Sequence, residues 1–465
     1  MTVLKPMFKW LALGLAMLAL VLALCWWLIP DEALNPEVEN FLALPLAPAT
    51  QKNAYFMLWG LRASPELDPH VVGQKIVVAI ERLIAAQKGS QGFDHDAFLG
   101  PHPLTYPDDA RRLCEVEKQN CLQVYQAHRA EVESELASKK VFVERYRRIR
   151  AYEESAAALS QVTWDTPLPP LTAIMRISDL VDASIALRMT SRSTHEAALR
   201  ELGAEIDSWK RLLASNDVLV MQMISTMALH RKYRLASEIM NAYPAVPAQH
   251  PDLMKGITAP VPVTVTIVNS LKEEMRVTVR HLWDIGQEQN LYQSPFEHDL
   301  QVARYLESAL TRVAYRPNAS INISYARFKA ITDLYARSPK EVLAGHDAML
   351  QQVREITATG PSALFYNFAG RLIIGRSFPD AGAVYAFRIH DLIGLSRLLE
   401  LQRLITEAQI PAEQVAAALP GFGDTLVDPY TERPMQWDAP TRTLSFELHG
   451  KRFANFGFVQ VAPTP

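Results

Sequence analysis

The densest group of chemically capable side chains is Asp94-His95-Asp96, with His102, Asp108 and Asp109 close behind. Imidazoles and carboxylates this near each other form a donor set for a divalent metal and could equally run acid/base chemistry. His95, Asp96 and His102 are therefore the metal-ligand candidates, and a metal-dependent hydrolase is one functional expectation. Against it, no fixed spacing such as His-Glu-x-x-His occurs. A solvated loop also favours Asp in its turns and accepts His without any metal. No cofactor is expected, because Gly421-Phe422-Gly423 lacks the rest of a phosphate loop and no Gly-x-Ser-x-Gly elbow exists.

His-Asp pairs recur at His95-Asp96, His298-Asp299, His346-Asp347 and His390-Asp391. The stretch His390-Asp391-Leu392-Ile393-Gly394 resembles the motif of helical phosphohydrolases named for such a pair. The lysine that usually follows is missing, and further ligands in that family's order cannot be placed, so ordinary helix surface explains these pairs better. The basic, aromatic run Arg145-Tyr146-Arg147-Arg148-Ile149-Arg150 could grip phosphate-bearing lipid or envelope polymer. Glu144, Glu153 and Glu154 flank it, and a solvated helix face is the default. Met221, Met223 and Met227 read as core filler.

Cys114 and Cys121 form an even pair and read as a disulfide. On one continuous helix, residues seven apart lie about 10 Å apart along the axis, beyond the roughly 7 Å within which Cα atoms can be bridged. The bridge therefore demands a turn within the stretch, and Lys118-Gln119-Asn120 could supply it.

The elements that must position these groups begin with an apolar segment. Trp10 to Ile29 carries no charge and at 1.5 Å per residue reaches about 30 Å, the depth of a bilayer core. Lys5 and Lys9 precede it, while Asp31, Glu32, Glu37 and Glu39 follow, so the positive-inside rule places the N-terminus in the cytoplasm. A cleaved signal peptide would have a shorter core and a small-x-small site close behind; Ala47-Pro48-Ala49 lies too far downstream. Membrane lipid is thus the expected partner of residues 10–29, and the body belongs outside the cytoplasm, in the periplasm of a Gram-negative cell.

Lys plus Arg number 47 against 50 for Asp plus Glu, so a nearly neutral, slightly acidic body gives no electrostatic reason to expect nucleic acid. Thirty prolines exceed nineteen glycines, which suggests many helices joined by stiff connections. After a cytoplasmic tail (1–9) and the span (10–29), residues 30–52 read as a Pro- and Ala-rich spacer. A helical region follows over 53–243, with helices near 71–87 and 127–154. Ile174, Ile177, Val181 and Ile185 mark one later helical face, and Leu199, Leu202, Ile206, Trp209 and Leu213 the next. Val220, Met223, Ile224 and Met227 mark a third, with Asn216 as its cap. A Pro-rich break at 244–262 separates a second helical region, 263–419, with helices near 263–289, 296–314, 323–336, 339–357, 384–408 and 411–419. Ser338-Pro339-Lys340-Glu341 has the spacing of a capping box.

The last segment, 420–465, changes period. Leu444, Phe446 and Leu448 alternate with polar residues, His449-Gly450-Lys451 offers a turn, and Arg452 to Val461 a second strand. Before them lies Asp428-Pro429-Tyr430-Thr431-Glu432-Arg433-Pro434-Met435-Gln436-Trp437. This element resembles the C-terminal part of uncharacterised, membrane-anchored, helical bacterial proteins, a likeness that implies no activity. Physically, Asp428 and Pro429 open a turn, Tyr430 follows, Pro434 stiffens the return, and Trp437 offers a large surface to cover a helix end.

The expected architecture is mainly α: an N-terminal transmembrane helix, an antiparallel helical bundle or array, and a small C-terminal β-hairpin. The expected function is a binding or scaffolding component of the cell envelope with an envelope protein partner. An extracytoplasmic sensor or ligand-binding domain is the remaining alternative.

Overall fold

In the computed structural model, the described residues are 28–43, 53–86, 93–106, 113–152, 166–214, 219–287, 314–358, 360, 366–376, 381–450 and 457–462, with 13, 14, 17, 20, 21 and 24. The expected span 10–29 lies largely outside them. Its described members Leu13, Gly14, Met17, Leu20, Val21, Leu24 and Leu28 are helical and exposed. Among the described residues no helix is long and apolar enough to cross a membrane.

The described chain is mainly helical. In order come α1 (Pro36–Ala43), α2 (Ala54–Gly60), α3 (Pro69–Ala85), α4 (Cys121–Ala127), α5 (Arg129–Ser138), α6 (Lys140–Ile149), α7 (Leu171–Arg188), α8 (Arg192–Ala214) and α9 (Leu219–Ala242). Then follow α10 (Val246–Gln249), α11 (Pro251–Thr258), α12 (Val268–Gln287), α13 (Pro317–Tyr335), α14 (Pro339–Thr357), α15 (Phe368–Arg376), α16 (Ala381–Glu407) and α17 (Ala412–Ala418). Three short strands close the chain: β1 (Gln436–Asp438), β2 (Thr443–Ser445) and β3 (Phe458–Gln460). The expected helix 296–314, apart from its last residue Ala314, and the Asn216 cap lie outside the described residues.

Two compact units emerge, and they are assembled from separated segments rather than from the consecutive regions 53–243 and 263–419 read from the sequence. One comprises 1–46, 274–334 and 345–382, the other 47–273, 335–344 and 383–465.

In the first unit, Val38 and Phe41 of α1 pack with Met275, Val279, Leu282, Tyr315 and Ile321. Tyr325 and Phe328 stand edge-tilted on Phe41 at centroid distances of 5.7 and 5.6 Å. Asp31 supplies the first turn of α13 with acceptors, taking the amides of Asn318 (2.8 Å) and Ala319 (3.2 Å). Of the spacer expected over 30–52, the described part, 30–43, is not idle: Val38 and Phe41 lie one helical turn apart and bury a shared apolar face, while 44–52 lie outside the described residues.

In the second unit, α2 and α3 meet backbone to backbone. A Cβ on Gly73 would stand 1.7 Å from Phe56 O, and one on Gly60 1.7 Å from Pro69 O, so only glycine permits the crossing. Helices α7, α8 and α9 carry the bundle, and the sequence-marked faces of α7 and α8 are buried throughout. On α9 the marked face is the less buried one; Met221, Ala228, Leu229, Leu235, Ala236 and Ile239 form the core side instead. This helix is enclosed on most sides, which erases the stripe that periodicity looks for. The Pro-rich break at 244–262 holds α10 and α11, since Pro247 and Pro251 stand in first turns, where a missing amide costs nothing.

The C-terminal element is a three-stranded antiparallel sheet in the order β1-β2-β3, not a two-stranded hairpin. Trp437 pairs with Leu444, and Leu444 with Val459, giving a cross-strand apolar row. Leu444 and Phe446 are buried and Glu447 is exposed, as the alternation requires. The strand at Trp437 escaped periodicity because three residues between Pro434 and Pro440 offer no alternation to read.

Candidate functional site

Among the described residues the acidic loop does not converge on a metal site. His95 Nε2 lies 3.0 Å from Asp96 Oδ1, and the same oxygen accepts Arg62 Nη1 at 2.8 Å. His102 uses its backbone amide on Ser64 Oγ (2.8 Å), and its side chain is exposed. Asp108 and Asp109 lie outside the described residues. Among the described residues no group of three or more His, Cys, Asp or Glu side chains is placed to hold a metal ion.

Cys114 and Cys121 are joined, with Cα atoms 5.7 Å apart. The turn the spacing demands is present: Lys118 and Gln119 amides return to Glu115 O at 2.9 and 3.0 Å. Asn120 then caps α4 by accepting Gln123 N at 3.0 Å.

The basic run is not the solvated face expected of it. Arg145 is buried and donates to the carbonyls of Leu61, Ala63, Ser64 and Leu67 at 2.5 to 3.3 Å, closing the turn after α2. Tyr146 donates to Glu205 Oε2 (2.8 Å) and accepts Trp209 Nε1 (3.0 Å). Arg147 Nε stands 2.6 Å from Glu201 Oε1, and Arg150 reaches Glu205 Oε1 at 3.4 Å. Deeper in the bundle, Lys232 is fully buried. Its ammonium contacts Asp182 Oδ1 (2.5 Å), Ser178 Oγ (2.8 Å) and Glu205 Oε2 (3.7 Å). Burial pushes the Asp182 carboxyl up to about 7 against the pull of Lys232. Arg147, Arg150 and Lys232 thus pair with Glu201, Glu205 and Asp182, a structural arrangement rather than an open site.

The Asp-Pro-Tyr-Thr element folds on Asp428. Its carboxylate accepts Tyr430 N (2.8 Å), Thr431 N (3.4 Å) and Thr431 Oγ1 (2.8 Å). This Asx turn sends the buried Tyr430 hydroxyl onto Asp391 Oδ1 of α16 at 2.7 Å. Asp391 also accepts the amides of His449 (3.1 Å) and Gly450 (2.7 Å), which ties α16 to the sheet. A Cβ on Gly450 would stand 2.6 Å from Asp391 Oδ2, so the contact requires glycine there. Burial raises the Asp391 carboxyl to about 6, opposed by these hydrogen bonds, and lowers its neighbour His390 to about 4. Both members of this pair are buried, so the surface position expected for it is corrected. Pro434 is exposed, and the half-buried Trp437 donates to Ala412 O at 2.9 Å, where it covers the start of α17.

Beside this element the second unit opens a cleft of about 620 Å³. Its walls come from 263–269, from the approach to α14 at Ala336–Pro339, and from Val427, Pro429 and Glu432; Arg397 of α16 also lines it. Arg397 is only 9% exposed and donates Nη1 to Val427 O at 2.7 Å. Val263, which also faces the cleft, is 51% exposed. Arg397 was not anticipated from the sequence. The available signal was a lone cation inside Leu392-Ile393-Gly394-Leu395-Ser396-Arg397-Leu398-Leu399, where a helix otherwise buries apolar residues.

Comparisons with protein-family models, curated proteins and solved structures find no match to this chain.

Proposed function

We propose that the chain is a membrane-anchored, extracytoplasmic binding protein of the cell envelope, held by residues 10–29 and binding through the cleft beside Asp428–Thr431. The single observation carrying the binding part is the cleft itself. Its volume falls in the usual range for ligand sites, and it mixes apolar walls with a few polar groups. The uncharged span Trp10–Ile29, with lysines before it and acids after it, supports the anchor and its orientation. The Cys114–Cys121 bridge fits an oxidising compartment. The hydrolase reading has less support, since Asp96 is engaged by Arg62 and His95.

Two experiments test this reading. A reporter active only outside the cytoplasm, fused after Pro465, should be active, and deletion of residues 1–29 should release the chain from membranes. Activity of a cytoplasmic reporter alone would contradict the topology. A photo-crosslinking side chain at Val263 in intact cells should yield adducts absent from the same probe at exposed Val78 of α3. Indistinguishable adducts at the two positions would remove the cleft as the binding surface.

A further inference from the structure

Arg397 is a buried cation. It makes one hydrogen bond, to a carbonyl, and no ion pair among the described residues. The Asp428 charge acts on it through space, with no hydrogen bond between them, while the Asp428 oxygens accept from Tyr430 and Thr431. A guanidinium taken out of water is costly unless a partner of opposite charge completes it. Its planar fork matches a carboxylate or a phosphate.

The rest of the cleft agrees in charge and shape. Arg337 lines it and likewise makes no ion pair among the described residues. Of the two acids in the lining, Glu432 is paired with Lys340 at 2.6 Å, which leaves Asp424 facing the two arginines, with Asp428 and Glu341 acting on Arg397 and Arg337 through space. Ser338 and Pro339 bring the first turn of α14 to the same wall, where its partial positive charge adds to the field.

The geometry points to a site for a small organic anion, its carboxylate or phosphate held by Arg397 and Arg337 and its apolar body laid on Val263, Val268, Val427 and Pro429. This rests on the cleft being the binding surface proposed above. The ligand completes the ion pair that the protein leaves open, so the neutral analogue of the same shape loses most of the binding.

The test uses the full chain in a neutral maltoside detergent, titrated calorimetrically with benzoate, phenyl phosphate and benzamide. At least one anion binds saturably with a Kd of about 1 mM or tighter and roughly tenfold or more below that of benzamide; the tighter of the two identifies the headgroup. Arg397→Gln weakens the anion about tenfold or more and leaves benzamide unchanged. Arg337→Gln, on an exposed residue, weakens it several-fold without touching the fold, so the test survives if Arg397→Gln unfolds. Benzamide binding as tightly as the anions would overturn the anion assignment while leaving a ligand cleft. Absence of saturable anion binding, or anion affinity unaltered in the folded variants, would overturn it as well. Val263 adducts indistinguishable from those at Val78 are the separate result that would remove the cleft itself.

Discussion

Lys232 and Arg397 are both buried cations on long helices of the same unit, and they are balanced in opposite ways. Lys232 meets Asp182 at 2.5 Å and Ser178 Oγ at 2.8 Å, with Glu205 at 3.7 Å. Around it, Arg147 and Arg150 answer Glu201 and Glu205. Arg397 faces a cleft and has a single carbonyl. Arg145, more deeply buried, shows a third arrangement, with no ion pair among the described residues but four carbonyls around its guanidinium. Arg397 has one carbonyl where Arg145 has four, and beside a cavity that leaves donors for a group from outside.

The largest effect is expected in the bundle. Lys232→Met strands Asp182 and Glu205 in the interior and should destabilise the unit by about 3–5 kcal/mol, measured by denaturant titration. Next comes the sheet: Leu444→Ala, at a fully buried position, should cost about 2–5 kcal/mol. Glu447→Ala on the opposite, exposed face should stay within about 0.5 kcal/mol. Similar melting temperatures for those two variants would mean that the sheet is not packed on α16. Reduction of Cys114–Cys121 should cost about 2–3 kcal/mol in the chain-entropy model, less any native strain. Non-reducing intact mass should show two hydrogens missing, and free alkylation of both thiols in exported protein would count against the bridge.

A subtler pair of effects lies between the cleft and the sheet. Asp391 titrates near 6 when folded and lower when unfolded, so the folded state holds the extra proton and stability falls as pH rises from about 4 to 6. His390 titrates near 4 when folded and about 6.5 when unfolded, so stability rises with pH across nearly the same window. The two slopes offset each other in the native chain. In melts across that window, Asp391→Asn should become more stable toward pH 6 and His390→Gln less stable. Parallel slopes in the two variants would refute the assignment.

What the sequence revealed follows from where physics is local. The capping box at Ser338 is present, with Glu341 Oε2 accepting Ser338 N at 3.1 Å, because it needs only four residues. The turn between the two cysteines follows from helix rise alone. The Asp428 turn was legible, and so was the burial of Leu444 and Phe446. Arg145 was misread as solvated because its acceptors, the carbonyls of 61–67, lie some eighty residues away. Long separation also hid the Lys232–Asp182 pair, fifty residues apart, and the cleft, whose walls come from four separated stretches of chain. Neither composition nor periodicity reports such meetings. The loop at His95 drew attention through residue types alone, and its partner Arg62 lies more than thirty residues earlier.

The most direct measurement compares Arg397→Met with Lys232→Met by thermal melting of the full chain, in one buffer without added organic anions. Arg397→Met removes an unbalanced buried charge and loses one hydrogen bond, so its stability should lie within about 1 kcal/mol of the parent. Lys232→Met should melt far lower. Equal, large losses for the two variants would show that Arg397 is already balanced within the fold, and the cleft would have no unmet charge to offer a ligand.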